Sequence, residues 1–131
     1  MKNIGIAILL LLAVTSCLPS KVDKKDPEPE LAGTYQMTSF IYNGATVIPK
    51  QGVTGSVNVV KDSDTQISIS LSTTTNGQTS SGDLGSVSIS KSSGSGYDIV
   101  ESGVRFGSID GTTFTLAYSD NTGSFSISAR K

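Results

Sequence analysis

The chain has 131 residues, a formal net charge of −1, one cysteine and no histidine. Without histidine it has no Ser-His-Asp or Cys-His catalytic unit and no histidine metal site. Its 10 Lys and Arg against 11 Asp and Glu give no basic footprint for nucleic acid, and the length is that of a single domain.

Lys2 and Asn3 precede an apolar run from Ile4 to Val14, broken only by Gly5, which stops at Thr15-Ser16-Cys17. The run is shorter than the ~20 residues of a membrane-spanning helix and suits the ~7–15 of a signal-peptide core. It resembles a bacterial lipoprotein signal peptide over residues 1–16. Val14, Thr15 and Ser16 stand where that pattern places an aliphatic and then small residues before the acylated cysteine. The resemblance implies cleavage between Ser16 and Cys17 and attachment of diacylglycerol and palmitate to Cys17. Two or more acyl chains are what stable membrane attachment requires. The expected location is therefore the bacterial cell envelope, lipid-anchored at the outer membrane, with the membrane itself as partner. Lipidation also consumes the one free thiol.

Residues 17–30 read as the lipidated cysteine and a flexible tether. Pro19, Pro27 and Pro29 exclude regular structure, and residues 21–26 mix charges with little to bury. Proline-rich spacers run semi-extended at ~3 Å per residue.

From Leu31 the hydrophobic period becomes two. Ile67-Ser68-Ile69-Ser70-Leu71-Ser72, Val87-Ser88-Ile89-Ser90 and Phe125-Ser126-Ile127-Ser128-Ala129 alternate apolar and hydroxyl residues, and Phe114, Leu116 and Tyr118 share one face. Such alternation marks antiparallel strands with one face in a core and one in water. Asn43-Gly44, Asn76-Gly77, Gly94-Ser95-Gly96, Asp110-Gly111 and the 120–123 segment are expected to supply the positive φ of tight turns. Strands are predicted over 33–42, 45–49, 54–61, 65–73, 84–91, 96–101, 103–109, 112–119 and 123–130. Short connections make sequential strands pair. The expected fold of residues 31–131 is thus all-β, an up-and-down meander closing into a small or flattened barrel, with a β-sandwich as the alternative. Residues 73–82 read as a disordered polar hairpin tip rather than a lid.

Leu31-Ala32-Gly33-Thr34-Tyr35-Gln36-Met37, followed by Asn43-Gly44, resembles the opening of lipocalin-like domains in lipoproteins of Bacteroidota. Those domains begin with a leucine, a Gly-x-Trp or Gly-x-Tyr and an aliphatic residue two further on. The resemblance implies that Tyr35 closes the barrel floor and that Arg130 covers its ring. A domain shorter than a full lipocalin implies a smaller cavity.

The remaining chemistry is sparse. Asp98 and Glu101, the nearest approach to a carboxylate pair, lie three apart, which puts them on opposite faces of a strand. Asp62-Ser63-Asp64 starts like a calcium loop but lacks the glycine and terminal glutamate that complete one. Residues 103–111 have scattered glycines and no following helix to cradle phosphate. Rows such as Ser68, Ser70 and Ser72 suit the wet face of a sheet. The expectation is a non-catalytic domain with no cofactor, metal or nucleic acid. A small hydrophobic ligand would meet the interior side chains Tyr35, Met37, Ile69, Leu71, Phe106, Phe114, Leu116 and Phe125, with Ile67, Val87, Ile89 and Ile127 also facing inward. The alternative is an interaction module that binds a protein or glycan at the envelope. The sequence names no protein partner.

Overall fold

The computed structural model describes residues 29–131. Residues 1–28, which include the signal segment, the Ser16–Cys17 junction and most of the tether, lie outside the described part.

Nine antiparallel strands follow one another: β1 (Gly33–Tyr42), β2 (Ala45–Ile48), β3 (Val53–Ser63), β4 (Gln66–Thr75) and β5 (Gln78–Lys91), then β6 (Tyr97–Glu101), β7 (Val104–Ile109), β8 (Thr113–Asp120) and β9 (Gly123–Arg130). Each of the nine expected strands is present. Neighbours pair in the order β2-β1-β3-β4-β5-β6-β7-β8-β9, and β1 also pairs with β9. That last pairing runs from Gln36 opposite Arg130 to Tyr42 opposite Phe125 and closes the sheet. The result is an eight-stranded barrel rather than a sandwich, because closure leaves the meander no long free edge. Strand β2 is extra: it takes the second half of β1 after β3 has paired with the first half.

Two expectations about loops need correcting. Residues 73–82 are not a loose tip. Strands β4 and β5 continue through them in register, from Thr73 opposite Ser80 to Thr75 opposite Gln78. Cross-strand hydroxyl pairs, Ser72 with Ser81 at 2.7 Å and Thr74 with Thr79 at 2.8 Å, let polar residues hold a sheet without a core beneath. The turn chemistry is also narrower than expected. Asn43-Gly44 and Asn76-Gly77 take positive φ, as does Gly111, whereas Gly94, Gly96 and the 120–123 segment do not. The 120–123 turn is held by Asp120 Oδ1, which accepts from Thr122 N at 2.7 Å and Gly123 N at 3.0 Å. Ser102-Gly103 supplies a further positive-φ pair between β6 and β7.

The barrel has a closed end and an open end. Leu31, Tyr35, Val57, Val59, Ile67, Ile109 and Phe114 are all essentially inaccessible and fill the closed end. The Tyr35 and Phe114 rings lie 6.1 Å apart, centroid to centroid. Tyr35 Oη donates to Leu31 O at 2.8 Å, so its one polar group is satisfied inside the core. The cation over that ring is not Arg130. With Ile127 and Ala129 turned inward, the period of two points Arg130 outward, and Arg130 is exposed. Lys131 covers the ring instead: its Nζ is 5.1 Å from the centroid and donates to Glu30 O at 2.8 Å and Ala32 O at 2.7 Å. At Gly107, opposite Leu116, a Cβ would fall on Thr115 O, so only glycine lets β7 approach β8 there.

Candidate functional site

The open end is where β1, β4, β6 and β8 finish and β3, β5, β7 and β9 begin. Here the interior is not filled. A cavity of about 200 Å³ is lined by Ile69, Leu84, Val87, Ile99, Glu101, Phe106, Leu116, Tyr118 and Phe125. Its floor is the packed core just described.

Two bulges build its wall. Along β4 and β5 the pairing steps from Ile69–Gly85 to Ser70–Asp83, leaving Leu84 as the extra residue. Gly85 sits at φ 81°, and Asp83 Oδ1 accepts from its N–H at 2.8 Å, which fixes the bulge. Along β6 and β7 the pairing steps from Ile99–Gly107 to Val100–Arg105, leaving Phe106 as the extra residue. A bulge breaks the alternation of faces and re-aims a side chain. Both re-aimed side chains are apolar and both line the cavity. In β1 a third irregularity skips Thr38, whose Oγ1 donates to Ser128 O at 3.1 Å. It carries the inward row from Tyr35 and Met37 to Phe40 and Tyr42.

Three rings form one side of the mouth. Phe106 and Tyr118 have centroids 5.7 Å apart, and Tyr118 and Phe125 are 6.0 Å apart. Tyr118 and Leu84 each keep 39% of their surface exposed, an unusual amount for large apolar groups that face a barrel interior. Tyr118 Oη donates to Asp120 Oδ2 at 2.6 Å, which tethers the ring at the rim. That hydrogen bond, with the charge of Asp120 and a smaller contribution from Glu101, raises the phenol above its ordinary pKa. Thr122 Oγ1, then Tyr118 Oη, then the Thr122 backbone N–H hold the Asp120 carboxyl down at about 2.

Of the expected ligand contacts, Ile69, Phe106, Leu116 and Phe125 line the cavity. Tyr35, Met37 and Phe114 do not: they belong to the packed core below it, and Leu71 packs against that core. Val87, also expected to face inward, lines it too, and Leu84, Ile99, Glu101 and Tyr118 complete the lining. Tyr118 was marked by its place on the face of Phe114 and Leu116. Leu84 carries no periodic signal, because its bulge removes it from the alternation.

A larger hollow, about 560 Å³, lies on the outer wall near residues 92–96. It is polar and open, and its cation, Arg105, is bonded through Nε to Asp98 Oδ1 at 2.8 Å. Asp98 therefore faces this outer hollow while Glu101 lines the inner cavity. Its apolar walls make the inner cavity the better candidate for a ligand site. Comparison with family models, curated proteins and solved structures finds no match to this chain.

Proposed function

We propose that this chain is a non-catalytic, lipocalin-like binding protein, lipid-anchored in the bacterial cell envelope, that takes a small hydrophobic ligand into the mouth of its barrel. The observation that carries the reading is the apolar cavity left open above a filled floor. An apolar cavity of ~150 Å³ is enough to hold one benzene ring. A site of about 200 Å³ accordingly suits a single ring or a short aliphatic end, with the rest of the ligand outside.

The polarity of the barrel supports the anchored arrangement. Pro29, Glu30 and Leu31 join β1 at the closed end, where Gly111 lies against Glu30 O. An anchor at Cys17 would thus attach to the domain on the side of the floor, with the mouth at the opposite end. The test has two parts. Mass spectrometry is expected to find acyl chains on Cys17 that Cys17→Ser abolishes. An uncharged apolar dye is expected to bind at one site per chain, and Leu84→Arg is expected to weaken it by filling the mouth. An unmodified Cys17 would remove the anchor, and dye binding indifferent to Leu84 would remove the site.

A further inference from the structure

The ligand's charge can be read from the mouth. Among the nine lining residues only Glu101 is charged, and the rings of Phe106, Tyr118 and Phe125 make up much of the remaining wall. Among the described residues no cation lines the cavity. Arg105 pairs with Asp98 across the outer wall. Lys50, in the turn between β2 and β3, does not line the cavity. Asp120 adds a second negative charge to the rim behind Tyr118, with its carboxylate bonded to the phenol. Lys61, Lys91, Arg130 and Lys131 sit at or near the strand ends that form the closed end.

From this arrangement we infer that the cavity selects an organic cation, a ring or short apolar body carrying an amine or quaternary ammonium head, over a fatty-acid-like anion. The inference rests on the binding role proposed above and deepens it. The apolar body fills the space above Ile69 and Leu116. The head lies at the rim, where aromatic faces present negative charge to a cation and Glu101 supplies a counter-ion. A carboxylate at the same exposed rim would meet the like charges of Glu101 and Asp120, a repulsion that salt screens. Glu101 is exposed, at the last residue of β6, so its pull on a ligand is screened by salt and its replacement leaves the core untouched.

The experiment compares three probes of one ring size on the full chain in vesicles of phosphatidylcholine, which carries no net charge: benzyltrimethylammonium, benzyl alcohol and phenylacetate. The chain has four tyrosines and no tryptophan, and the part of the tyrosine fluorescence response that Tyr118→Phe removes reports on the Tyr118 rim. The ammonium probe is expected to bind about tenfold more tightly than phenylacetate, the combined scale of one cation–aromatic contact and one exposed charge pair. Benzyl alcohol should fall between them. Glu101→Gln should narrow the gap between the ammonium probe and phenylacetate to about threefold, the part left to the aromatic rings and Asp120, and raised salt should narrow it in the same direction. Equal binding of all three, tighter binding of phenylacetate, or a preference for the cation that Glu101→Gln leaves undiminished would overturn the inference and leave the cavity's binding role standing. Saturable binding by none of the probes would overturn both.

Discussion

Lys131 Nζ lies 5.1 Å from the centroid of the Tyr35 ring, and both residues are tied to one short stretch of backbone. Tyr35 Oη donates to Leu31 O, and Lys131 Nζ to Glu30 O and Ala32 O. The last residue of the chain thereby fastens the strand entrance to the ring that closes the floor. Lys131→Ala is expected to destabilise the barrel by about 1 kcal/mol, the scale of an exposed cation–aromatic contact plus its hydrogen bonds. Arg130→Ala, one residue away and turned outward, should change stability by less than ~0.5 kcal/mol. Denaturant unfolding of the two variants gives the comparison.

Floor and mouth should respond differently to truncation. Phe114 is fully buried against Tyr35, so Phe114→Ala should cost ~3–5 kcal/mol through lost transfer energy and a new cavity. Phe106 already borders open space, and Phe106→Ala enlarges a cavity that exists. Its cost should be roughly half as great, with the larger effect on binding. Equal losses in urea unfolding would mean that mouth and floor are packed alike.

Burial pushes the Tyr35 phenol up to about 12, assisted by the negative charges of Asp110 and Glu30. Because the neutral form is favoured in the fold, its stabilising contribution is complete below the unfolded value of ~10 and is lost as pH rises through 12. Absorbance titration at alkaline pH should show one tyrosine ionising last, together with loss of β-sheet dichroism. Tyr35→Phe should remove that step and leave the steps of the other tyrosines in place.

Gly107→Ala tests the closeness of β7 to β8. The added methyl falls on a carbonyl in the neighbouring strand, which is backbone and cannot rotate aside. A loss of at least ~3 kcal/mol is expected, at or beyond the upper end of ordinary overpacking. Gly82→Ala, with nothing within 4 Å of the added methyl, should be close to neutral. Thermal unfolding of both variants is sufficient.

The strand plan was legible because hydroxyl and apolar residues alternate so regularly, and because Asn-Gly pairs punctuate them at Asn43 and Asn76. The same period already placed Ile127 and Ala129 inside and so Arg130 outside. The family resemblance pointed to Arg130, and the geometry of the strand selects Lys131. What the sequence did not disclose follows from broken alternation. Leu84 lies between Asp83 and Gly85, and only the pairing of β4 with β5 shows that Leu84 turns into the mouth. Residues 73–82 looked like a loop because they offer no apolar stripe. Their order comes from backbone pairing and cross-strand hydroxyl bonds, which no hydrophobic pattern records. The division of the interior into filled floor and open mouth depends on side-chain volumes meeting across the barrel, a property of closure rather than of any one strand.

The most direct test of the mouth as a ligand site is a methyl NMR titration with a single-ring apolar probe such as toluene. The cavity predicts saturable shifts confined to the methyls of Ile69, Leu84, Val87, Ile99 and Leu116, with those of Val57 and Val59 in the filled floor unmoved. Shifts that never saturate, or that appear equally at Val57 and Val59, would contradict it.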